Sequence, residues 1–297
     1  MISMELKGIY VPNVTPFDRH GGIDVHALAG LVDFWLGAGV SGLVVNASTG
    51  EGPLISRQEK RDLVEFVRER VGGRGAVIAG TGAIGTRETI ELTRDARDAG
   101  AEAALVATPF FFKPTEEEIF QHFASLMASV DLPVILYNVP KFTGYTVSPG
   151  LVDRISRESS NLIGMKDSSG SPGAMAENIR LFGDRISVLS GVADMTLPTL
   201  SMGGKGAILA VANYAPETCV ALHEAATGND LAEAGRLQMR LSYVNKVLVR
   251  EHSQIAAVKA AMRAKGLEAG VPRRPLRPLP AEEERAVIDA LKVLDSL

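Results

Sequence analysis

The chain has 297 residues, of which 46% are hydrophobic and 22% charged, and 31 basic against 35 acidic side chains leave a formal net charge of −4. This length suits one large domain with an extension, and the chain lacks the basic block or aromatic-interleaved basic stripe typical of nucleic-acid binding. No signal-peptide pattern opens the chain and no apolar run approaches the ~18 residues of a membrane span, so we predict a soluble, cytoplasmic protein with no nucleic-acid or membrane partner.

Short apolar segments rich in Val, Ile and Leu alternate with longer segments of helical period, which predicts parallel strands buried on both faces and joined by helices. The predicted strands cover residues 8–15, 42–47, 76–80, 103–108, 133–138, 162–166, 186–190 and 207–212. Such a series of βα units predicts the α/β class and a (β/α)₈ TIM barrel over residues 1–226. Residues 227–297 are predicted to form a C-terminal helical extension that packs on the barrel and makes a single functional unit with it.

Local signals mark where several connecting helices begin. Capping boxes, in which a hydroxyl side chain precedes Glu by three residues, occur at 56–59 and 115–118, and Ser148 precedes Pro149 at another predicted helix start. These signals agree with helices between the strands.

Two patterns that often bind cofactors are interpreted here as structural. Residues 80–85 match G-x-G-x-x-G, but the next strand ends without the acidic residue that a dinucleotide-binding unit needs. The five histidines show no ligand spacing, so we expect no metal. The single cysteine, Cys219, excludes an internal disulfide and is expected to be a small core residue.

Lys166 is the residue that most directly suggests chemistry, because it ends the apolar stretch 161–166 and is followed by a polar turn. Burial of an amine among apolar neighbours favours its neutral form, which can attack a carbonyl carbon. Lys166 is therefore a candidate for Schiff-base formation. The alternative, a surface lysine that happens to end a strand, stays open on this pattern alone.

Other polar side chains follow strand ends, where (β/α)₈ barrels carry their active sites. Ser48 and Thr49 precede a glycine in the loop after strand two, where hydroxyl and N–H groups can bind a carboxylate. Tyr137 in strand five could carry protons. Each also has a structural interpretation, a capped turn for the first two and a buried aromatic for Tyr137.

Five motifs are spread along the chain: Thr15-Pro16-Phe17, Ser48-Thr49-Gly50-Glu51, Tyr137-Asn138-Val139-Pro140, Gly164-Met165-Lys166-Asp167 and Val258-Lys259-Ala260-Ala261. In order and spacing, over essentially the whole chain, they resemble the dihydrodipicolinate synthase/N-acetylneuraminate lyase family. The resemblance implies a class I pyruvate-dependent aldolase or lyase on a (β/α)₈ barrel, without a metal or organic cofactor. It also implies a homotetramer built as a dimer of dimers.

The resemblance further implies roles for individual residues. Lys166 would form a covalent imine with the 2-keto carbon of pyruvate or a related 2-keto acid. Ser48 and Thr49 would hold the carboxylate, with Ser48 also in the catalytic set, and Tyr137 would move protons. The pyruvate pocket would be lined by two further residues, Gly191 and Ile208.

Two positions on the substrate side depart from the family pattern. Phe111 stands where the family commonly has a tyrosine that reaches a neighbouring subunit's site, and a phenyl ring cannot relay a proton. Phe142 stands where the synthase proper has an arginine for the carboxylate of its aldehyde substrate, which leaves Lys141 as the nearby charge. We expect both phenylalanines to contact substrate.

These departures shape the predicted reaction. The first expectation is a carbon–carbon lyase that cleaves or forms a 2-keto-3-deoxy sugar acid or hydroxy-keto acid, with pyruvate as product or donor. The alternative is 4-hydroxy-tetrahydrodipicolinate synthase, which condenses pyruvate with aspartate semialdehyde. Two further possibilities are a keto-acid dehydratase or deaminase and a non-catalytic barrel that binds keto acids.

Overall fold

The computed structural model describes residues 4–296 and shows a closed barrel of eight parallel strands in sequence order, with β1 paired to β8. The predicted (β/α)₈ barrel is confirmed. The strands are β1 (Gly8–Val11), β2 (Gly42–Val45), β3 (Ala76–Gly80), β4 (Ala103–Ala107), β5 (Val134–Asn138), β6 (Leu162–Asp167), β7 (Ser187–Ser190) and β8 (Gly206–Ile208).

Helices follow the strands and cover the barrel. They are α1 (Val25–Gly37), α2 (Arg57–Val71), α3 (Thr86–Asp98), α4 (Glu116–Ser129), α5 (Pro140–Thr143), α6 (Pro149–Glu158), α7 (Pro172–Phe182), α8 (Thr196–Ser201) and α9 (Pro216–Thr227). Both predicted capping boxes are present, at the starts of α2 and α4, and the Ser148 side chain caps α6.

The first and last strands are shorter than predicted. β1 ends at Val11 because Pro12 has no N–H to donate to the ladder, so residues 12–15 form a loop. β8 ends at Ile208 and the chain then enters the 3₁₀ turn Ala210–Asn213. The predicted extents to residues 15 and 212 were therefore wrong, since apolar composition continues beyond the hydrogen-bonded ladder.

Side chains fill the inside of the barrel, so it is a packed core and not a channel. Its buried apolar members come from successive strands: Leu6, Tyr10, Val44, Ala47, Ile78, Ala103, Leu105, Ile135, Tyr137, Val139, Leu189 and Ile208. A ligand site has to lie at one end of this core, and Ala47, Tyr137 and Val139 mark the end where the strands terminate.

The glycine-rich segment after β3 is explained by close packing of neighbouring strands. A Cβ added at Gly80 would lie 2.5 Å from the Asn46 carbonyl oxygen, and one added at Gly82 would lie 2.6 Å from the Ala107 nitrogen. These glycines permit backbone contact, which agrees with the structural interpretation of the motif.

Three further helices follow α9: α10 (Leu231–Asn245), α11 (Gln254–Ala264) and α12 (Ala281–Ser296), with a π-helical turn, Lys246–Glu251, between the first two. Their apolar faces share one buried cluster with α1 and β1, and Cys219 lies in the same cluster with burial raising the pKa of its thiol. The predicted division after residue 226 falls within α9 and stays a prediction. Within residues 4–296, no helix combines the length and hydrophobicity needed to cross a bilayer.

Candidate active site

Lys166 lies inside the barrel near the end of β6. It is 4% exposed and pairs in register with Tyr137 of β5, which is 7% exposed. The Lys166 Nζ atom lies 4.2 Å from the centroid of the Tyr137 ring. Among residues 4–296 this ammonium has no carboxylate within ion-pair distance and no hydrogen-bond acceptor. The surface-lysine interpretation is therefore wrong, while Schiff-base formation by this amine stays a prediction.

Gly191, directly after β7, provides space for this lysine. Its N–H donates to the Asp167 carbonyl oxygen at 2.8 Å, which holds the two strand ends together. A Cβ at Gly191 would lie 3.0 Å from Lys166 Cε, tighter than ordinary van der Waals contact. Ile208 on β8 is fully buried in the same apolar core as Tyr137. Gly191 thus borders the lysine, and Ile208 belongs to the floor below the strand ends.

Ser48 and Thr49 lie in the tight loop between β2 and α2. Asn46 and Glu51 both adopt left-handed backbone conformations, at φ 61° and 62°, and the Glu51 N–H donates to the Ser48 carbonyl oxygen at 3.1 Å. Thr49 is 4% exposed, Ser48 is half-buried, and neither hydroxyl has a hydrogen-bond partner within residues 4–296. Both are available to an oxygen-rich ligand at this end of the barrel.

A buried carboxylate fixes the end of β6, and the sequence alone did not identify it. Asp167 Oδ1 accepts from Asn138 Nδ2 at 2.8 Å and from the Ser169 N–H at 2.9 Å. Its Oδ2 accepts from Ser169 Oγ at 2.9 Å and from Asn178 Nδ2 at 3.4 Å. Because both carboxylate oxygens accept hydrogen bonds, the Asp167 side chain is held in one orientation beside Lys166. An Asp followed by Ser at a strand end was the available signal.

A second buried pair supports the loop that carries Ser48 and Thr49. Lys259 Nζ of α11 lies 2.6 Å from Glu51 Oε1, with both side chains fully buried, and donates to the carbonyl oxygens of Thr15 and Val271 at 2.7 and 2.8 Å. Burial lowers the pKa of Lys259 to about 8, although the carboxylate opposes this shift. The pair ties the loop to the C-terminal helices.

The two phenylalanines predicted to contact substrate lie outside the buried core of the barrel. Phe111 is 83% exposed, has φ 76°, and packs edge-on against Phe112 with ring centroids 5.1 Å apart. Phe142, in α5, is 49% exposed. Lys141 Nζ donates to the Val249 carbonyl oxygen at 3.1 Å and to Gln254 Oε1 at 3.3 Å. The positive charge beside Phe142 is therefore already engaged, and substrate contact by Phe111 and Phe142 stays a prediction.

Within residues 4–296, there is no group of three or more His, Cys, Asp or Glu side chains that could hold a metal ion. The candidate side chains without a hydrogen-bond partner include the hydroxyls of Ser48 and Thr49 and the amine of Lys166. Such a set is suited to covalent catalysis on a carbonyl compound.

The sequence model of the dihydrodipicolinate synthetase family matches residues 5–294. The chain belongs to this family. A relative from Methanothrix thermoacetophila named 4-hydroxy-tetrahydrodipicolinate synthase is 38% identical over 292 residues, which cover 98% of each chain. Dihydrodipicolinate synthase from Thermotoga maritima has a TM-score of 0.95 and 31% identity, covering 99% of this chain and 100% of its own.

A third relative was solved in complex with pyruvate. This prophage protein from E. coli K12, described as belonging to the dihydrodipicolinic acid synthase family, has a TM-score of 0.93 and 32% identity. The match covers 98% of this chain and 99% of that one. The pyruvate complex was observed for that prophage protein.

Members of the dihydrodipicolinate synthetase family are pyruvate-dependent class I aldolases and lyases. They use a covalent Schiff base with a lysine and need no external cofactor. The predicted family, enzyme class and independence from a cofactor agree with this membership. Between the two reactions predicted first, the names of the relatives support the synthase alternative better than cleavage of a sugar acid.

Proposed function

We propose that this barrel forms an imine between Lys166 and pyruvate and adds the derived enamine to an aldehyde, with aspartate semialdehyde as the first candidate acceptor. The chain would then be a 4-hydroxy-tetrahydrodipicolinate synthase, as its relatives are named. The observation that carries the proposal is the buried, unpaired amine 4.2 Å above the Tyr137 ring at the carboxyl end of the barrel.

Imine formation uses residues already described. Lys166 Nζ adds to C2 of pyruvate, and the carbonyl oxygen leaves as water after gaining two protons, which Tyr137 transfers. The hydroxyl groups of Ser48 and Thr49 donate to the pyruvate carboxylate. Gly191 and Ile208 line the pocket, since the glycine leaves room for the lysine chain and the isoleucine is part of the floor.

Carbon–carbon bond formation follows from the charge of the imine. The protonated imine withdraws electrons, so C3 loses a proton and an enamine forms. Its electron pair forms the bond from C3 to the aldehyde carbon, and the carbonyl π pair moves to the aldehyde oxygen, which takes up a proton. With aspartate semialdehyde, the amino group of the substrate then adds to the imine carbon and the lysine leaves as its amine, which closes the ring of 4-hydroxy-tetrahydrodipicolinate. With an aldehyde that has no amino group, water displaces the lysine and releases a 4-hydroxy-2-keto acid.

Reversible cleavage of a 4-hydroxy-2-keto acid is the second candidate, and one observation favours it. At the position of the expected carboxylate clamp, this chain has the apolar Phe142, while Lys141 is bound to Val249 and Gln254. A bidentate contact to a second carboxylate is therefore lost. A substrate without a charged group there, such as a 2-keto-3-deoxy sugar acid, suits this surface better.

Steady-state kinetics distinguish the two candidates. Purified protein is assayed for condensation of pyruvate with aspartate semialdehyde and, separately, for pyruvate release from a panel of 2-keto-3-deoxy sugar acids. A kcat/KM at least about 100-fold higher for condensation supports the synthase, and the reverse ratio supports cleavage. Lys166→Met is the control and should abolish both. A folded wild-type protein inactive in both assays would contradict the proposed function.

We further propose a cytoplasmic homotetramer. Phe111 and Phe112 form an exposed aromatic pair at the site end of the barrel, and such a pair suits contact with another subunit. Light scattering coupled to size exclusion tests the subunit count, and a monomer at micromolar concentration would overturn it.

A further inference from the structure

A cleft opens at the amino-terminal ends of β1 and β2, at the opposite end of the barrel from Lys166. It lies between the residues at the start of β1, the turn from α1 to β2, and helix α9, and its volume is about 270 Å³. Sites for drug-sized ligands occupy roughly 300–1,000 Å³. This cleft therefore suits a molecule of only a few heavy atoms.

Two glycines keep the cleft open. Gly39 in the turn has φ 82°, and a Cβ added there would lie 3.9 Å from Val220 Cγ1 of α9. A Cβ added at Gly8 would collide with Ser41 Oγ. A larger residue at Gly39 would narrow the gap to α9, and one at Gly8 would displace the Ser41 hydroxyl.

Polar groups of complementary kinds line the two walls of the cleft. Lys7 and Ser41 lie on the strand side, where an ammonium and a hydroxyl group can donate hydrogen bonds. His223 and Glu224 lie on the helix side, and the Glu224 carboxylate can only accept. Lys7 and Glu224 face the same cleft, yet neither side chain has an ion-pair partner within residues 4–296.

His223 adds a shielded nitrogen atom to the helix side. Its Nε2 atom is buried and has no hydrogen-bond partner within the described part of the chain. Burial lowers the pKa of the imidazole, although the Lys205 carbonyl oxygen and the Glu224 carboxylate oppose this shift. The neutral ring has one nitrogen that can accept a hydrogen bond. A buried polar atom without a partner is costly, which points to a ligand beside it.

We propose that this cleft binds a compact zwitterion with one carboxylate and one ammonium group. The ligand's carboxylate accepts from the Lys7 ammonium and the Ser41 hydroxyl. Its ammonium group donates to the Glu224 carboxylate and to His223 Nε2. A simple anion would be repelled by Glu224 and a simple cation by Lys7, so a ligand with both charges suits the cleft best. This site is separate from Lys166 and does not depend on the proposed function.

NMR titration tests the proposal on protein labelled at the Cε1 atoms of histidine, with His223→Gln to assign the His223 signal. Glycine, β-alanine and 4-aminobutyrate share the two charges and differ in the distance between them. Propionate and ethylamine each lack one charged group. The best of the three zwitterions should shift the His223 signal saturably. It should bind at least about 5-fold more tightly than propionate or ethylamine, as expected for one more charged contact at a partly exposed site.

Variants of α9 provide matched controls. Glu224→Gln should weaken zwitterion binding about 5-fold without weakening propionate binding, because only the contact to the ammonium group is lost. Glu217→Gln changes a carboxylate of the same helix outside the cleft and should bind as wild type does. Saturating pyruvate should leave the titration unchanged, since Lys166 lies at the other end of the barrel.

Three results would overturn the inference. They are no saturable shift of the His223 signal with any of the three zwitterions, binding of propionate or ethylamine that is equally tight, and competition by pyruvate. None of them bears on imine formation at Lys166, which is measured separately by trapping with borohydride.

Discussion

Tyr137 contacts the Lys166 amine through its ring, so its hydroxyl can be removed with little change in packing. Tyr137→Phe should lower kcat by about 100-fold or more because the proton carrier is lost. The melting temperature should change by only a few degrees, since the apolar ring remains in the floor. Stopped-flow measurement of imine formation with pyruvate and steady-state kcat check this, and an unchanged kcat would assign proton transfer elsewhere.

We expect Gly191 to be essential because a larger residue would occupy the space that the Lys166 and Ser168 side chains need. In Gly191→Ala, the new methyl group would lie 2.0 Å from Ser168 Oγ and 3.0 Å from Lys166 Cε, so one of these side chains has to move. We expect at least about a 100-fold loss of imine formation with a folded protein.

Gly150 in α6 is the matched control for this change. An added Cβ there would meet nothing within 4 Å, so Gly150→Ala should retain activity. Trapping rates, measured beside circular dichroism spectra, decide the comparison. Equal rates for Gly191→Ala and wild type would show that Gly191 does not border the bound substrate.

At the scale of elements, helices α3 and α4 are joined by a histidine that must stay neutral. His122 is 2% exposed, its Nδ1 lies 3.0 Å from Thr86 Oγ1, and burial lowers the pKa of its imidazole to about 4. In the unfolded chain the His122 imidazole therefore takes up a proton near pH 6.5, whereas in the folded protein it does so only near pH 4.

This difference predicts that stability falls as the pH decreases from 6.5 to 4. The loss attributed to His122 should approach about 2–3 kcal/mol at the lower end. Denaturant unfolding at pH 7, 5.5 and 4.5 measures it for wild type and His122→Gln. The variant should show a shallower decline, and parallel curves would contradict the assignment.

Element boundaries show what sequence could and could not predict. Buried apolar runs predicted all eight strands, because parallel strands covered on both faces have few polar residues. The ends of β1 and β8 were overestimated, since Pro12 and the turn at 210–213 interrupt the ladder within apolar sequence. Capping boxes at 56–59 and 115–118 were predicted correctly because they depend on contacts within one turn.

At the scale of the whole molecule, the Glu51–Lys259 pair joins the site loop to the C-terminal helices. Glu51→Gln should cost about 3–5 kcal/mol of unfolding free energy because it leaves a buried ammonium without its counter-ion. Lys259→Met alone should cost a similar amount. The double variant should lose clearly less than the sum of both, which urea unfolding can measure. Strict additivity would show that the two charges do not stabilise each other.

This pair also marks the limit of sequence reasoning about the site. Lys166, Ser48, Thr49 and Tyr137 could be proposed because each follows or ends a recognisable strand and belongs to a family motif. The partnership of Glu51 with Lys259, the four hydrogen bonds to Asp167 and the unpaired Ser168 hydroxyl could not. They depend on closure of the barrel, which brings distant segments to the same strand ends.

Covalent trapping tests the central claim, that Lys166 is the amine that reacts with pyruvate. The protein is incubated with pyruvate and sodium borohydride, digested, and mapped by mass spectrometry, with Lys166→Met in parallel. We predict one reduced pyruvate adduct, on the peptide containing Lys166, and none in the variant. An adduct on another lysine, or no adduct in a folded wild-type protein, would contradict the account.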